Sequence, residues 1–539
     1  MRDELHTEVL VVGGGLGGCA AAWAALRLGN LVVMTEEGDR LGGQMTAQAV
    51  PPDEHPWIES FGCTRSYRHL REEIREYYRR YYPLTNQARR NPRLNPGNGF
   101  VSTLCHEPRV SQAVLEAFLA PYQAGGRLKV LLHHRPVSAS CQGDRVEAVT
   151  FQGPSGTRPV TVQAPYVIDA TELGDLLPLA GVEHVVGAES RAQTGEPHAA
   201  DVADPLNQQA ISWCFILDHR PGEDHTIDRP EDYGSWRDEI PKLKPAWGGP
   251  LLSWQATHPI TMQPVVRTFD PLRPEPHRGP MDLWTFRRIA DRKNFEEGAY
   301  DSDLILVNWP QIDYLKGPLV GVPEDEVSSH LEGARRLSRS MLYWMQTEAP
   351  RRDGGTGWPG LRLRPDVTGT PDGLASAPYI RESRRLRGVF RVEEQHVGLQ
   401  ARMELTGRGP SEVTAERFPD TVGIGAYRID LHPSTGGDNY IDVSSLPFQI
   451  PLGSLIPLRV ENLLAGAKNL SVTHITNGCY RLHPVEWNVG EASGLLAAFC
   501  LENRLIPRQV HAHPGLLSDF QTLLINEGVE LEWPVPEPL

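Results

Sequence analysis

The stretch GGGLGG, from Gly13 to Gly18, decides the fold class of this sequence. It matches the pattern GxGxxG through Gly13, Gly15 and Gly18. In such a turn the first glycine permits a sharp bend, the second lets a diphosphate approach the backbone, and the third lets the helix pack on the strand. The N–H groups and positive dipole at the start of the following helix favour an anion. The stretch therefore predicts a dinucleotide-binding turn with contacts at Gly13, Gly15, Leu16, Gly17 and Gly18.

The residues around this turn supply the expected context. The apolar run Val9–Val12 predicts a strand buried on both faces, Cys19–Leu28 predicts a helix, and Leu31–Met34 predicts a second strand. Glu36 lies 18 residues beyond Gly18, close to the spacing at which an acid binds the ribose hydroxyls of a dinucleotide. These elements predict an α/β fold that begins with a βαβ unit.

A second stretch, Gly355–Gly360, also has the GxGxxG spacing. No strand precedes it, it contains Pro359, and it leads into Leu361–Pro365 rather than into a helix. A loop is the expected structure, because the spacing alone does not create a phosphate site.

Composition changes along the chain and divides it into units. Short apolar strands and alanine-rich helices occur near both ends, whereas the middle is rich in Pro and Trp and has long loops. We predict a Rossmann-type domain, a parallel sheet with helices on both faces plus a small antiparallel ribbon, that is interrupted by a large inserted α+β substrate or cap domain. The predicted units are 1–180 and 448–505 for the two parts of the cofactor domain, 181–447 for the insertion, and 506–539 for a C-terminal extension.

Four further segments carry structural predictions. Arg145–Phe151 and Val160–Ala164 predict the antiparallel ribbon, and Tyr166–Ala170 predicts a return to the parallel sheet. Ser66–Tyr82, in which Glu and Arg alternate, predicts a solvated helix.

Charge and cysteine usage exclude several function classes. The net charge of -15 argues against nucleic acid or an anionic membrane as a partner, since both need a basic surface. The seven cysteines include no CxxC pair, and neither His133-His134 nor His511 with His513 has a third ligand nearby, so we predict no metal. Without a signal peptide or a long apolar segment, the expected location is cytoplasmic.

Three segments resemble a known group of enzymes: Glu36–Gly43, Asp169–Glu172, and Asn462–Gly494. They are similar to the FAD-dependent oxidoreductases of the glutathione-reductase-like flavoprotein superfamily, and within it to bacterial proteins sometimes labelled xanthan-lyase-like. The resemblance covers most of the chain. It departs at Glu172, where the family usually has glycine. No second nicotinamide fingerprint is found, so an NAD(P)H-binding domain is not expected.

The resemblance implies FAD as the cofactor and a set of positions that contact it. Besides Glu36 and the glycine turn, the implied cofactor-binding residues are Glu37, Arg40, Gly43, Gln44, Met45, Thr46, Val137, Ala170, Thr171, Gly466, Gly490 and Gly494. For the helix that contains Gly490 and Gly494, ordinary core packing is the alternative.

Candidate catalytic residues lie in polar patterns on elements expected near the flavin. In the segment RIDLH, from Arg428 to His432, the polar residues would share one strand face, and Asp430 beside His432 could position a general base. The segment Arg381–Arg385 would place Arg381 and Arg385 on one strand face, where they suit a carboxylate or a phosphate. A structural ion-pair network is the alternative for both segments.

His474 is a further catalytic candidate, because it precedes the last helix of the predicted cofactor domain, together with Tyr480, Arg481 and His483. Each of these residues could instead be structural. The leading hypothesis is a dehydrogenase or oxidase that moves hydride from a C–H bond of a polar small molecule to the flavin N5. Oxygen or a carrier would accept the electrons, and a homo-oligomer is possible. The alternatives are a flavin monooxygenase that needs a reductase partner and a flavin-binding protein without turnover.

Overall fold

The structure is a computed structural model, and it describes residues 3–534 and 538–539. In chain order, the strands of these residues are β1 Asp3–His6, β2 Val9–Val12, β3 Val32–Glu36, β4 Leu128–Leu132, β5 Arg135–Gln142, β6 Arg145–Gln152, β7 Val160–Gln163, β8 Tyr166–Asp169, β9 His184–Val185, β10 Ile211–Ser212, β11 Phe215–His219, β12 Gln255–Thr257, β13 Pro264–Val266, β14 Arg288–Ala290, β15 Leu304–Val307, β16 Asp313–Tyr314, β17 Leu361–Leu363, β18 Arg385–Leu386, β19 Thr421–Gly425, β20 Ile429–Leu431, β21 Ile441–Val443, β22 Phe448–Pro451 and β23 Leu463–Ala465.

The helices of the same residues are α1 Leu16–Arg27, α2 Arg65–Tyr81, α3 Asn86–Arg90, α4 Pro108–Ala124, α5 Leu176–Leu179, α6 Arg191–Thr194, α7 Tyr233–Arg237, α8 Leu283–Phe286, α9 Glu324–Thr347, α10 Pro365–Thr368, α11 Glu394–Val397, α12 Leu399–Thr406, α13 His474–Tyr480, α14 His483–Asn503, α15 Pro507–Ala512 and α16 Pro514–Glu527. The protein is therefore a mixed α/β structure.

A five-stranded parallel sheet, in the order β23-β8-β2-β3-β4, forms the centre that positions the site. Its middle strand, β2, is buried on both faces and pairs in register with β3 on one side and β8 on the other. The strand predicted at Val9–Val12 is confirmed. The second predicted strand, Leu31–Met34, is observed as β3 and ends at Glu36. The carboxylate of Glu36 thus lies at the carboxyl edge of the sheet, where ligands of parallel sheets bind.

The predicted antiparallel ribbon is confirmed as the strands β6 and β7. Together with β5 and β1, which were not part of the prediction, they make a four-stranded sheet in the order β1-β7-β6-β5. The chain then re-enters the parallel sheet through β8. It returns to that sheet once more at β23, whose Leu463 pairs with Val167 of β8. The long segment between these two adjacent strands therefore leaves and rejoins one sheet, as expected of an insertion.

The segment between β8 and β23 contributes its own sheet and a long helix. The sheet has the order β14-β15-β11-β17 and is antiparallel, and α9 is a helix of 24 residues. The apolar residues of the insertion share one continuous core with those of the parallel sheet, since Leu306 and Met341 belong to the same buried cluster as Val11 and Leu495. The limits at residues 180, 447 and 505 stay a prediction.

The helix predicted at Ser66–Tyr82 is confirmed, but only one of its faces is solvated. The helix observed there, α2, buries Tyr67 and Tyr78 completely, and only 2% of the Arg71 side chain is exposed. The guanidinium of Arg71 lies 2.9 Å from Glu54 and 2.7 Å from Glu59, so a charged residue is buried because it is paired. Alternation of Glu and Arg does not distinguish such an inward network from a solvated face.

The second GxGxxG stretch, Gly355–Gly360, forms a loop that leads into β17, as predicted. Among the residues that the structure describes, no helix combines the length and the apolar character needed to cross a membrane. Within the same residues, no group of three or more His, Cys, Asp or Glu side chains is arranged to hold a metal ion.

Candidate functional site

The turn between β2 and α1 owes its shape to missing side chains. Gly13 has a φ of +100°, and a Cβ on it would lie 2.2 Å from the carbonyl oxygen of Ala170. A Cβ on Gly18 would lie 2.0 Å from the carbonyl oxygen of Gly13. Both positions therefore require glycine, and the turn brings the start of α1 directly to the carboxyl end of β2. Backbone N–H groups at such a helix start attract an anion.

Helices α1 and α14 meet backbone to backbone behind this turn. A Cβ on Gly490 would lie 1.9 Å from the carbonyl oxygen of Gly17, and a Cβ on Gly494 would lie 2.2 Å from that of Ala21. Gly17 in turn lies against Gly466, with 2.0 Å between a hypothetical Cβ and the carbonyl oxygen. Helix packing is thus the observed role of Gly490 and Gly494, and cofactor contact by them stays a prediction.

Glu36 lies beside the turn and beside an open space. Its carboxylate accepts hydrogen bonds of 2.7 Å from the N–H groups of both Gly14 and Gly38. Burial raises the pKa of Glu36 to about 7, although the two N–H donors oppose the shift. We name the adjacent space the first cavity. Its volume is about 340 Å³, and its lining includes Glu36, Glu37, Gly43, Gln48, His133, Arg135, Gln152, Glu172 and Ala377.

Two carboxylates and one lysine surround the start of α1. If Gly15 had a Cβ, that atom would lie 3.3 Å from Oε1 of Glu172 and 3.7 Å from Oε1 of Glu486. The same Glu486 oxygen accepts a 3.3 Å hydrogen bond from the N–H of Gly17. Glu172 forms an ion pair with Lys468, whose side chain is only 1% exposed. The helix start thus interacts with negative charge already, as its dipole favours.

This donor set fits a diphosphate. Lys468 and the N–H groups at the start of α1 are the cation and dipoles that bind phosphate oxygens. Glu172, which is 19% exposed, would have to turn away from Gly15 when an anion binds, and Glu486 would have to release the N–H of Gly17. The backbone next to Glu172 is held by hydrogen bonds, because Asp169 accepts one from the N–H and one from the hydroxyl of Thr171.

The remaining predicted cofactor residues have different environments. Glu37 and Gly43 line the first cavity. Arg40 is instead turned to the carbonyl oxygen of Thr368, at 2.7 Å, and to Asp39. Val137 on β5 is 40% exposed and lies outside the lining of this cavity. The others are packed in the core: Met45, Thr46, Ala170, Thr171 and Gly466. Their contacts with a cofactor stay a prediction.

A larger space, which we name the second cavity, has a volume of about 430 Å³ and is lined mostly by residues between β8 and β23. Its walls include the hairpin of β20 and β21. Ile429 and Leu431 are buried, and the polar residues between and beside them line the cavity, so the alternation predicted for this segment is confirmed. The lining also includes Asp53, Glu54, His55, Phe100, Arg267, Phe286, Arg287, Asn308, Tyr427, Arg428, Asp430, His432, Tyr440 and Asp442.

Buried groups that do not line the second cavity hold His432 in place. Its Nδ1 lies 2.7 Å from Asp313, and the buried Arg381 lies 3.2 Å from the same carboxylate. Burial alone would raise the pKa of Asp313, but the charges of Arg381 and His432 outweigh it and lower this pKa. Arg381 therefore lies behind Asp313 and does not line the second cavity. The strand face predicted for Arg381–Arg385 is wrong, since only Arg385 and Leu386 form a strand.

A chain of polar contacts joins the second cavity to the region of the glycine turn. Arg481 lies 3.7 Å from a carboxylate oxygen of Asp430 and donates a 3.2 Å hydrogen bond to the hydroxyl of Tyr379. Tyr379 in turn lies 3.4 Å from Oε1 of Gln44, and the amide of Gln44 bonds to Glu486 at the start of α1. The two regions that the sequence singled out are thus in contact through Gln44, Tyr379 and Arg481.

His474 has a different environment from the one predicted. It is buried at the start of α13, with Nδ1 3.0 Å from Glu382, and Glu382 also forms an ion pair with Arg385. It lines neither the first nor the second cavity. His483 is buried as well, and burial lowers its pKa to about 4. The structure therefore contains an ion-pair network around Arg385, which is the structural alternative stated for this segment.

Sequence reasoning missed several residues of the second cavity. Arg267, Arg287, Tyr427 and Tyr440 lie in loops and turns of separate segments of the chain. None belongs to a motif or to a periodic segment, so no signal in the sequence could have grouped them.

Comparison with known proteins gives distant similarities. The chain is similar to a geranylgeranyl bacteriochlorophyll reductase-like protein from Thermoplasma acidophilum, with 10% identity over 98% of this chain and 85% of that one and a TM-score of 0.32. It is also similar to L-proline dehydrogenase from P. horikoshii (16% identity, 35% of this chain and 25% of that one, TM-score 0.18). A third similarity is to OxyS anhydrotetracycline hydroxylase from Streptomyces rimosus (13% identity, 72% and 54%, TM-score 0.25).

The chain spans a quarter of the proline dehydrogenase and about half of the hydroxylase. No curated protein matches the sequence. A family model described as FAD dependent oxidoreductase matches residues 8–524, which is nearly the whole chain. The chain therefore belongs to the FAD-dependent oxidoreductase family, and it is an enzyme whose cofactor is FAD.

Proposed function

We propose that this enzyme is a dehydrogenase or oxidase that removes hydride from a C–H bond of a polar small molecule bound in the second cavity. The observation that carries the proposal is the position of His432 and Asp430 in the wall of that cavity. Both are joined to buried polar groups, His432 to Asp313 and Asp430 to Arg481. A cavity of about 430 Å³ has the size of a small-molecule site.

We also propose that residues 1–180 and 448–505 form a Rossmann-type domain of the glutathione-reductase-like kind, related to the xanthan-lyase-like proteins, with 181–447 as its cap. The adjacency of β8 and β23 in one parallel sheet supports this arrangement. Glu36 would hold the adenosine ribose, and the start of α1 with Lys468 would hold the diphosphate. When bound, FAD would supply the hydride acceptor.

The protein groups of the second cavity can then manage the proton. Asp313 holds Nδ1 of His432, which leaves Nε2 to accept a proton from a substrate hydroxyl or amine. Arg381 fixes the orientation of Asp313 and thereby acts as a positioning residue. Asp430 would orient the same substrate through a hydrogen bond, with its own position fixed by Arg481.

The test is anaerobic mixing of the purified holoenzyme with a panel of metabolites while the flavin absorption band is followed. Bleaching by a hydroxy, amino or sugar compound supports the proposal. Bleaching by NAD(P)H alone would instead indicate a monooxygenase, and no bleaching by any compound would indicate a flavin-binding protein. Reoxidation of the bleached enzyme by air, or only by an added carrier, then distinguishes oxidase from dehydrogenase.

Replacement of His432 by glutamine is expected to slow flavin reduction by the identified substrate by about 100-fold or more, because a general base contributes at least that factor. The flavin content of the variant should equal that of the wild type. His277→Gln, outside the second cavity, serves as the control and should reduce at the normal rate. Equal rates for H432Q and wild type across the pH range would remove His432 from the proposal.

Replacement of Glu36 by glutamine is expected to weaken FAD binding to the apoprotein by about 10- to 100-fold, the value of hydrogen bonds to a charged acceptor. Because burial raises the pKa of Glu36 to about 7 in the free site, the ribose must bind the carboxylate form at the expense of a proton. Wild-type affinity should therefore fall as the pH decreases below 7. The E36Q variant should lack this dependence.

The measurement is titration of the apoprotein with FAD, followed by flavin fluorescence, at several pH values. Glu147→Gln, an exposed change on β6, is the matched control and should bind FAD like the wild type. An unaltered affinity for E36Q would show that Glu36 does not hold the cofactor.

A further inference from the structure

Arg267 is a half-buried cation in the wall of the second cavity, and no carboxylate of the described residues pairs with it. It follows β13, and its side chain lines the cavity. Its Nε and Nη1 atoms are inaccessible to solvent and have no hydrogen-bond partner among the described residues. Among the described residues, Arg267 makes one hydrogen bond: its backbone N–H donates to the carbonyl oxygen of Trp254 at 2.8 Å. A guanidinium in this position is costly unless an anion arrives to pair with it.

A second guanidinium adds to the positive charge at this point. The guanidinium carbons of Arg267 and Arg287 lie 5.7 Å and 5.3 Å from the centre of the same ring, that of Phe286. Burial lowers the pKa of Arg267, and the neighbouring charge of Arg287 lowers it further. Arg287 is balanced by Asp53 at 3.2 Å, although its Nε also lacks a hydrogen-bond partner within the described residues.

The acids of the second cavity are already engaged elsewhere. Asp442 is paired with Arg428, Glu54 with Arg71, and Asp430 lies nearest to Arg481. No carboxylate of the described residues lies within 4.0 Å of Arg267. One cation of the cavity is therefore left over, while four acidic side chains surround the space. A singly charged anion would balance this site, whereas a doubly charged phosphate would be repelled by the acids.

The cavity offers further polar groups to the same ligand. The carboxamide of the buried Asn308 lines it, and Oδ1 accepts no hydrogen bond from the described residues. The phenol of Tyr440 also lines the cavity. A ligand with one carboxylate and a nearby hydroxyl or amine would satisfy Arg267 and Asn308 together.

We propose that the substrate of the second cavity is a monocarboxylate, held by the guanidinium of Arg267, which lines this cavity and has no carboxylate partner among the described residues. The planar guanidinium matches the two oxygens of a carboxylate. Within this cavity the rest of the molecule, with its hydroxyl or amine, would extend to Asn308, Asp430 and His432. This inference rests on the proposed function, because it names the substrate class of the same site.

The test uses the holoenzyme and compares ligands that differ only in charge. Propanoate and benzoate, their primary amides, and inorganic phosphate are titrated separately, and binding is followed by the change in the flavin absorption spectrum and by intrinsic tryptophan fluorescence. The two carboxylates are expected to bind at least about 30-fold more tightly than their amides, the loss typical of a buried charge pair without one partner. Phosphate is expected not to compete with them.

Arg267→Gln is expected to lose this preference and to bind carboxylate and amide equally weakly, with unchanged flavin content. Arg267→Lys should retain part of the preference, since it keeps the charge but not the fork. Arg273→Gln, six residues further along and exposed, is the matched control and should behave as the wild type. Because R267Q removes a charge that has no carboxylate partner among the described residues, its ligand-free melting temperature should be equal to or higher than that of the wild type, whereas loss of an ion-paired structural arginine would lower it.

The outcomes separate this inference from the proposed function. Carboxylate binding that depends on Arg267, without flavin reduction by any carboxylate in the panel, would support the substrate class and contradict the dehydrogenase. Flavin reduction by a neutral compound, with carboxylates neither binding nor competing, would overturn the inference and leave the dehydrogenase standing. Tight phosphate binding, or equal carboxylate affinity in R267Q and wild type, would also overturn it.

Discussion

Replacement of Gly490 by alanine is expected to lower the free energy of unfolding by more than about 3 kcal/mol and to give protein with little bound flavin. The added Cβ would lie 1.9 Å from the carbonyl oxygen of Gly17, well inside contact distance, and the obstructing atom is backbone that cannot rotate away. Overpacking of a core costs about 1–3 kcal/mol where side chains can adjust, and more where they cannot. To relieve the contact, α14 must move away from α1.

The movement would also affect the cofactor. Gly17, against which Gly490 packs, belongs to the turn at the start of α1, and Glu486 of α14 bonds to the N–H of Gly17. A displaced α14 therefore disturbs the end of α1 where a diphosphate would bind. The measurements are denaturant unfolding of the purified variant and its flavin-to-protein ratio.

Gly515→Ala provides the matched control, because it makes the same chemical change in another helix, α16. No atom lies within 4 Å of the position that its Cβ would take. Alanine is the better helix former by up to about 1 kcal/mol, so this variant should be as stable as the wild type or slightly more so. Equal stability of G490A and G515A would mean that α1 and α14 can separate without cost.

The same contact explains which part of the fold was predictable from sequence. The glycines of the turn, the apolar run before it and Glu36 after it act through local geometry, so their spacing in the sequence carries their roles. The closing helix was recognisable from Gly490 and Gly494, but its contact with Gly17 was not, because it joins residues more than 400 positions apart. The sequence pattern shows which positions carry small residues, but only the folded structure shows which residues they contact.

The candidate site was predictable only where polar residues alternate along one strand. Asp430 and His432 were found because β20 buries Ile429 and Leu431 on its other face. Arg267 and Arg287 lie in loop-rich segments. They differ in that Arg287 has a carboxylate partner, whereas Arg267 has none among the described residues. That property depends on the fold as a whole. The same limit applies to α2, where inward pairing of Arg71 reversed the expected exposure.

Replacement of Glu382 by glutamine is the second change with a large expected effect, a loss of about 3–5 kcal/mol in the free energy of unfolding near pH 6. Glu382 is buried between two cations, with His474 at 3.0 Å and Arg385 in an ion pair. Arg385 retains Glu189 at 3.1 Å, but His474 would lose its carboxylate. Removing one partner of a buried ion pair typically costs this amount, because it leaves a buried charge without compensation.

The effect should depend on pH with a definite sign. Burial alone would raise the pKa of Glu382, but His474 and Arg385 outweigh it and lower the pKa to about 2. Its stabilisation is thus present above the ordinary pKa of glutamate, about 4.3, and is lost as the pH falls towards 2. Burial favours neutral His474, yet Glu382 outweighs burial and raises the pKa of His474. That contribution is complete below about pH 6.5 and is lost as the pH rises through the raised value.

The difference in stability between wild type and E382Q should therefore be largest between about pH 4.5 and 6.5 and should shrink on both sides, since each side removes one charge of the pair. Unfolding by denaturant at a series of pH values measures it. Glu332→Gln, the same substitution at an exposed position of α9, should change stability by no more than about 0.5 kcal/mol at every pH. A difference for E382Q that is small or independent of pH would mean that the three buried groups are not charged together, and the assignment of His474 to a structural ion pair would then have to be given up.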